Sequence, residues 1–321
     1  MEHRKGAPTT DLTSPIFTDE EAARAHFEAL RWPDGPVCPH CGSINSASEL
    51  KGKTTRPGLY KCKGCAQQFT ATIGTAYERS HIPLHKWLLA TRLMCASKKG
   101  ISAHQLWRML GFGSYRTAWF MAHRIREGMR EELPEGGLGG ANKVVEIDET
   151  YVGGKDANKH AWRREGKRGA KGKAPILSLV ERDGSVRSYH VANVTAQTLR
   201  PIIAKSVNKA SYLMTDDALV YPAVTRDFAG HGTVNHSAEE YVRAGFWHTN
   251  TVENYFSIFK RGIMGTYHHV SETHLYRYAA EFDFRYNRRS ALGIDDAARA
   301  DAAIRGIAGK RLTYRQPHQQ A

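Results

Sequence analysis

The chain has 321 residues, of which 46 are Lys or Arg and 32 are Asp or Glu, a formal net charge of +14. With 41% hydrophobic and 10% aromatic residues it can bury a sizeable core, which excludes wholesale disorder, and its length suits two or three domains. No stretch approaches the roughly 18 apolar residues of a membrane span, and the start, MEHRKGAPTTDLTSP, lacks the apolar run of a secretory signal. The expectation is a cytoplasmic protein with no membrane role and a polyanionic partner, nucleic acid well ahead of an anionic surface, because each Lys or Arg placed on a phosphate releases counterions.

Residues 1–80 read as a zinc ribbon preceded by a helix. Cys38-Pro-His-Cys41 and Cys62-Lys-Gly-Cys65 are both C-x2-C, with twenty residues between Cys41 and Cys62. Two residues between thiolates let one tight knuckle present both sulfurs to a single ion, and two knuckles complete a tetrahedral set for one structural Zn²⁺. Leu50, Leu59, Tyr60 and Phe69, with Gly58 and Gly64, supply short strands and turns. Two disulfides or a redox pair are the alternatives; the first suits a basic cytosolic chain poorly and the second needs no duplicate. Cys95 stands alone in an apolar pattern and reads as a core thiol.

Residues 81–132 read as a helical DNA-binding module. Apolar side chains recur at helical spacing over 83–97, and Ser102 is placed to cap a helix running to Leu110. After Gly111-Phe112-Gly113, Ser114 opens a second helix from Tyr115 to about Glu131. Two helices about a short Gly-containing turn form a helix-turn-helix, with Tyr115, Arg116 and Thr117 at the end where base edges are met. An ordinary helical domain is the plainer alternative.

Residues 133–142 form a linker: the ten residues from Glu131 to Gly140 hold four glycines, a proline and three acids and cannot continue a helix. Beyond it, strands are predicted at Val144–Val152, Pro175–Glu181 and Val186–Val191, then a helix over Thr195–Asn208. A strand at Ser211–Thr215 runs into Asp216-Asp217, followed by a helix at 218–228, a strand at Thr233–His236, and a helix from Asn250 to Gly262. This order implies a mixed α/β layer. Between the first two strands lies a basic stretch with Arg163, Arg164, Lys167 and Arg168 around Trp162, suited to gripping DNA and otherwise a solvated loop.

Three acids fall within that pattern: Asp148 inside an apolar strand, Asp216 at a strand end, and Glu253 in the late helix. Hard divalent ions take carboxylate oxygens, and two carboxylates on adjacent strands with a third on a covering helix would converge on such ions and serve phosphoryl transfer. Singly, each has a plainer reading: Asp148 and Glu149 as an exposed strand end, Asp216-Asp217 as a helix cap, Glu253 as part of a solvated face. Their order within the strand pattern favours the metal site.

The segments Val145-Glu146-Ile147-Asp148-Glu149-Thr150-Tyr151-Val152-Gly153-Gly154-Lys155, Thr215-Asp216-Asp217, and His248 through Val270 carry a resemblance to bacterial insertion-sequence transposases of the ISXO2-like type. These join an N-terminal zinc ribbon to a ribonuclease H-like DDE domain, and the likeness spans about residues 20–290. The resemblance implies a ribonuclease H-like catalytic domain over 143–290, a C-terminal tail over 291–321, and movement of a DNA element through its terminal inverted repeats. It implies Mg²⁺ or Mn²⁺ at Asp148, Asp216 and Glu253, with double-stranded DNA (repeats and target) as partner and a homo-oligomer assembled on it. The family's basic residue seven after the third acid matches Lys260, beside Arg261, both expected on DNA phosphates. A ribonuclease H-like nuclease and a domesticated DNA-binding regulator are the competing readings; the first has no need of two preceding DNA-binding modules, and the second would lose the acids.

Overall fold

A computed structural model describes residues 11–154, 162, 172–234 and 248–314. The expected DNA contacts at Arg163, Arg164, Lys167 and Arg168, and the last two residues of the predicted strand at 233–236, lie outside the described residues. The chain forms two compact units: residues 1–97, 101–130 and 288–321 make the first, 98–100 and 131–287 the second.

In the first unit, α1 (Glu20–Arg31) opens on Asp19, whose carboxylate accepts the Ala22 N–H at 2.7 Å, with Glu20 and Glu21 in the first turn and Arg31 in the last, the charge order that suits the helix dipole. Strands β1 (Ala47–Glu49), β2 (Tyr60–Cys62) and β3 (Gln68–Phe69) pair antiparallel in that order. Then come α2 (Leu84–Ala96), α3 (Ala103–Met109) and α4 (Tyr115–Met129). Ser102 and Ser114 cap α3 and α4 through their hydroxyls, accepting from Gln105 N at 3.1 Å and Arg116 N at 3.2 Å. Residues 291–321, read from sequence as a tail, contain α8 (Asp296–Arg305), which packs on α2, α4 and α1 of this unit. Its Ala300, Ala303 and Ile304 are buried, as is Cys95.

In the second unit, β4 (Val144–Val152), β5 (Ala174–Glu181), β6 (Val186–His190), β7 (Tyr212–Asp216) and β8 (Gly230–Val234) form one sheet in the order β6-β5-β4-β7-β8. The β4–β5 and β5–β6 pairs are antiparallel, β4–β7 and β7–β8 parallel, as a ribonuclease H-like mixed sheet requires. The crossover from β6 to β7 is α5 (Ala196–Ser206), which covers one face with Val145, Ile147, Leu177 and Leu179 beneath it. The other face packs against α6 (Asn250–Gly262) and α7 (Glu272–Asn287) through Ile176, Val180, Val252, Tyr255 and Phe282. Since neighbouring strand residues alternate faces, Glu146, Asp148 and Thr150, paired with Val180, Ser178 and Ile176, share the α6 side. The helix predicted over 218–228 is not formed: only a single 3-10 turn, Tyr221–Ala223, occurs there. Pro222 has no N–H and fits only the first turn of a helix, and the β-branched Val220, Val224 and Thr225 give little drive to continue.

Candidate active site

The four ribbon cysteines gather. Their sulfurs all lie within 4.8 Å of one another, with Cys38 to Cys65 at 3.7 Å and Cys41 to Cys62 at 3.6 Å, close to the roughly 3.8 Å edge of a tetrahedron with Zn–S bonds of about 2.3 Å. Two alike knuckles present them: Gly42 N donates to Cys38 O at 2.9 Å and Ala66 N to Cys62 O at 3.0 Å. Gly42 and Ala66, each four residues after the leading cysteine, take φ values of 76° and 59°, turning the chain back. The Cys65 backbone N–H pulls the Cys62 thiol down to about 6 against the effect of burial, with Ser46 and Gly64 assisting. The four-cysteine donor set is that of a closed structural Zn²⁺ site, with no position left for a substrate.

The three acids come from three elements of the second unit. The parallel ladder pairs Val144 with Tyr212, Val145 with Leu213 and Glu146 with Met214. That constant offset of 68 residues, carried two steps further, sets Asp148 level with Asp216 on the α6 side, while the next residue, Asp217, lies past the end of β7 and is exposed. Glu253 sits in the first turn of α6 and accepts the Thr249 hydroxyl on Oε1 at 3.0 Å. Asp148 Oδ1 accepts the Glu149 N–H at 2.7 Å, and Asp216 Oδ1 accepts the Ala218 N–H at 3.1 Å.

Burial pushes the Asp148 carboxyl up to about 7, reinforced by the negative charges of Glu149, Asp216 and Glu253. Glu149 is raised too, chiefly by burial and then by Asp216, although the Tyr221 hydroxyl donates to its Oε2 at 2.5 Å. Tyr221 is fully buried on the α5 side, so Glu149 is held away from the face that carries Asp148. The charges of Asp216 and Glu253 thus reach Asp148, but the oxygens of the three acids do not all come within 4.8 Å of one another as the four cysteine sulfurs do; drawn together, the three carboxylates would be a donor set for a hard divalent cation.

Lys260 and Arg261 occupy the exposed last turn of α6. Seven residues after Glu253, Lys260 shares its face, its Nζ 6.0 Å from the Phe256 ring centre, whereas Arg261 folds back to donate to Ser257 O and Oγ at 3.1 and 2.9 Å. In the first unit Tyr115 and Arg116 are exposed and Thr117 half-buried at the start of α4, with the His104 ring stacked 4.3 Å from that of Tyr115. Sequence reasoning passed over Glu146 and Arg182. The available signal was a charged residue between Val145 and Ile147, on the same face of the strand as Asp148.

Residues 138–287 match the model of the ISXO2-like transposase domain, and residues 18–68 that of the transposase zinc-ribbon domain. The chain is also 28% identical over 286 residues, 84% of its length and 91% of the relative's, to an uncharacterized protein in transposable element ISH50 of Halobacterium salinarum. The two domain matches cover the sulfur cluster and the acid-bearing sheet in the order in which the chain carries them: a transposase zinc-ribbon domain followed by an ISXO2-like transposase domain, the pair that insertion-sequence transposases join.

Proposed function

We propose that the protein is a DDE transposase that binds the terminal inverted repeats of its element and performs divalent-metal-dependent strand cleavage and strand transfer on double-stranded DNA. The observation that carries the reading is the β4–β7 register, which, continued two residues, brings Asp148 level with Asp216 on the sheet face against which α6 packs, with the charge of Glu253 reaching Asp148 from the first turn of α6. Mg²⁺ or Mn²⁺ held there would polarise the scissile phosphate and favour loss of the proton from the attacking water or 3′-hydroxyl. Asp148, Asp216 and Glu253 bind and orient the metal; Lys260, on the face of Glu253, holds a phosphate of the element end, with Arg261 beside it. In the first unit the ribbon and the α3–α4 pair bind the repeat, with Tyr115, Arg116 and Thr117 at the base edges. Arg163, Arg164, Lys167 and Arg168, outside the described residues, also grip the DNA backbone in this reading. Such a protein works in the cytoplasm, on the nucleoid, as a homo-oligomer that holds both element ends.

The test follows a labelled terminal-repeat duplex with Mg²⁺ and a plasmid target on a gel. Wild type should nick at the element end and join that end to the plasmid, Glu253→Ala should do neither while still binding the duplex, and Lys260→Ala should weaken end binding yet retain chemistry at high DNA concentration. Wild-type degradation of the duplex without end preference and without joining would establish a nuclease instead.

A further inference from the structure

Glu146 is fully buried on β4, two residues before Asp148 and on the same face. A carboxylate in that place is unfavourable unless surrounded by donors, and it is surrounded. Oε2 accepts the backbone N–H groups of Thr251 at 2.8 Å and Val252 at 3.0 Å; Oε1 accepts the Thr251 hydroxyl at 2.9 Å and Arg182 Nε at 2.7 Å, with His248 Nδ1 3.2 Å away.

Thr251 and Val252 are the second and third residues of α6, whose N–H groups a capping side chain ordinarily satisfies. The residue at the cap position, Thr249, does not cap the backbone; its hydroxyl donates to Glu253 Oε1. Glu146 has taken over the cap from another element, which leaves Thr249 to hold the Glu253 side chain. Arg182 adds a second hold, donating Nη2 to His248 O at 2.9 Å just ahead of the helix. One carboxylate therefore ties the strand that carries Asp148 to the helix turn that carries Glu253.

We propose that Glu146 is a positioning residue that sets where the Glu253 carboxylate lies relative to Asp148, and thereby the affinity of the site for a divalent cation; this rests on the assignment of Asp148, Asp216 and Glu253 as metal ligands. Partners that orient metal-ligating side chains are typically worth about tenfold to a hundredfold in metal affinity. Glu146 itself need not touch the metal.

The test is calorimetric titration of the zinc-loaded full chain with Mn²⁺, beside hydrogen exchange at the Thr251 and Val252 amides and a thermal melt. Glu146→Gln keeps the shape but removes the negative charge that all these donors share, and whichever way its amide turns it sets N–H donors against either Arg182 or the Thr251 and Val252 amides. It is expected to weaken Mn²⁺ binding at least about tenfold and to speed exchange at both amides. Thr249→Val, which frees the Glu253 side chain and leaves Glu146 in place, should weaken Mn²⁺ binding without changing exchange at those amides. Where Glu146→Gln folds poorly, Glu146→Gln with Arg182→Met removes the buried charges together and should restore the melt while leaving Mn²⁺ binding weak. Wild-type Mn²⁺ affinity in a folded Glu146 variant overturns the proposal, as does a lowered melt with unchanged affinity, the sign of a purely structural role. Glu253→Ala runs alongside: if it binds Mn²⁺ as wild type does, the ligand assignment itself falls.

Discussion

Asp216 and Asp217 are adjacent and chemically identical, yet only one of them continues the strand. Asp216 lies level with Asp148 by the ladder register, whereas Asp217 is exposed past the strand end. Asp216→Asn should therefore lower cleavage by about a hundredfold or more, the scale of losing several kcal/mol of metal-derived stabilisation, with duplex binding unchanged, and Asp217→Asn should keep most activity. The reverse ranking in the gel assay would put Asp217 at the site. A different buried acid governs stability. Burial pushes Asp283 up to about 6 even though Tyr255 OH and Ser188 Oγ donate to its Oδ1 at 2.6 and 2.7 Å, Ser188 N donates to its Oδ2 at 2.7 Å, and the Arg187 charge acts in the same downward direction. Because its pKa is higher folded than unfolded, the folded state holds its proton longer: its contribution is fully present below the ordinary carboxylate range and is lost as pH rises through about 6. The stability of wild type relative to Asp283→Asn should fall by about 1 kcal/mol between roughly pH 5 and 7 and then level off. Denaturant titrations of both proteins at several pH values read this directly, and a difference that stays constant over that range would show that Asp283 is already ionised in the folded protein.

At the scale of elements, α4 carries a glycine in its interior that helix propensity alone would replace. A Cβ at Gly128 would lie 2.6 Å from the Ile307 side chain and 2.8 Å from Ala303 O, and one at Gly306 would meet Gly128 O at 2.2 Å. The glycines let α4 and the end of α8 approach backbone to backbone. Gly128→Ala would add up to about 1 kcal/mol of helix propensity, but forcing the helices apart costs about 1–3 kcal/mol. The expected net is a lower melting temperature; a rise would mean that α8 yields without loss. At the 3-10 turn of Tyr221–Ala223 local propensity and outcome agree, Pro222 and the β-branched residues around it confining the helix to a single turn.

For the whole molecule, the first unit is closed by α8, which follows the second unit in sequence and packs on α1, α2 and α4. Arg299 of α8 is buried, donating Nη1 to Cys95 O at 3.0 Å and Nε to Arg288 O at 2.8 Å, and Ile304 and Ile307 enter the core. A chain truncated after Asn287 should therefore lose the cooperative unfolding of the first unit and become protease-sensitive within 11–130, while the second unit keeps its own transition. A truncated chain that melts like the full one would return residues 291–321 to the status of a tail. Zinc acts on the same unit: a chelator, or Cys62→Ser, should unfold the ribbon and abolish binding to terminal-repeat DNA, because a structural zinc supplies folding free energy outright. In the intact protein that binding should weaken linearly in log–log form with salt, by about 0.9 per phosphate neutralised. Binding indifferent to chelation would remove the ribbon from the interface.

What the sequence determined by itself was whatever depends on a few neighbouring residues. Cysteine pairs with two residues between them dictate two knuckles, Ser102 and Ser114 mark helix starts, alternation from Val144 to Val152 dictates a strand, and the order of Asp148, Asp216 and Glu253 survives any packing. The separation of Asp148 and Asp216 equals the offset of the parallel ladder, but the number acquired meaning only once β4 and β7 were neighbours. Tertiary structure alone decided the rest: that residues 296–305 close the first unit, and that Glu146 caps a helix which begins more than a hundred residues later. Each of these is a pairing between distant segments, set by which apolar faces can be buried together and which buried charges can find donors, and no local pattern encodes it.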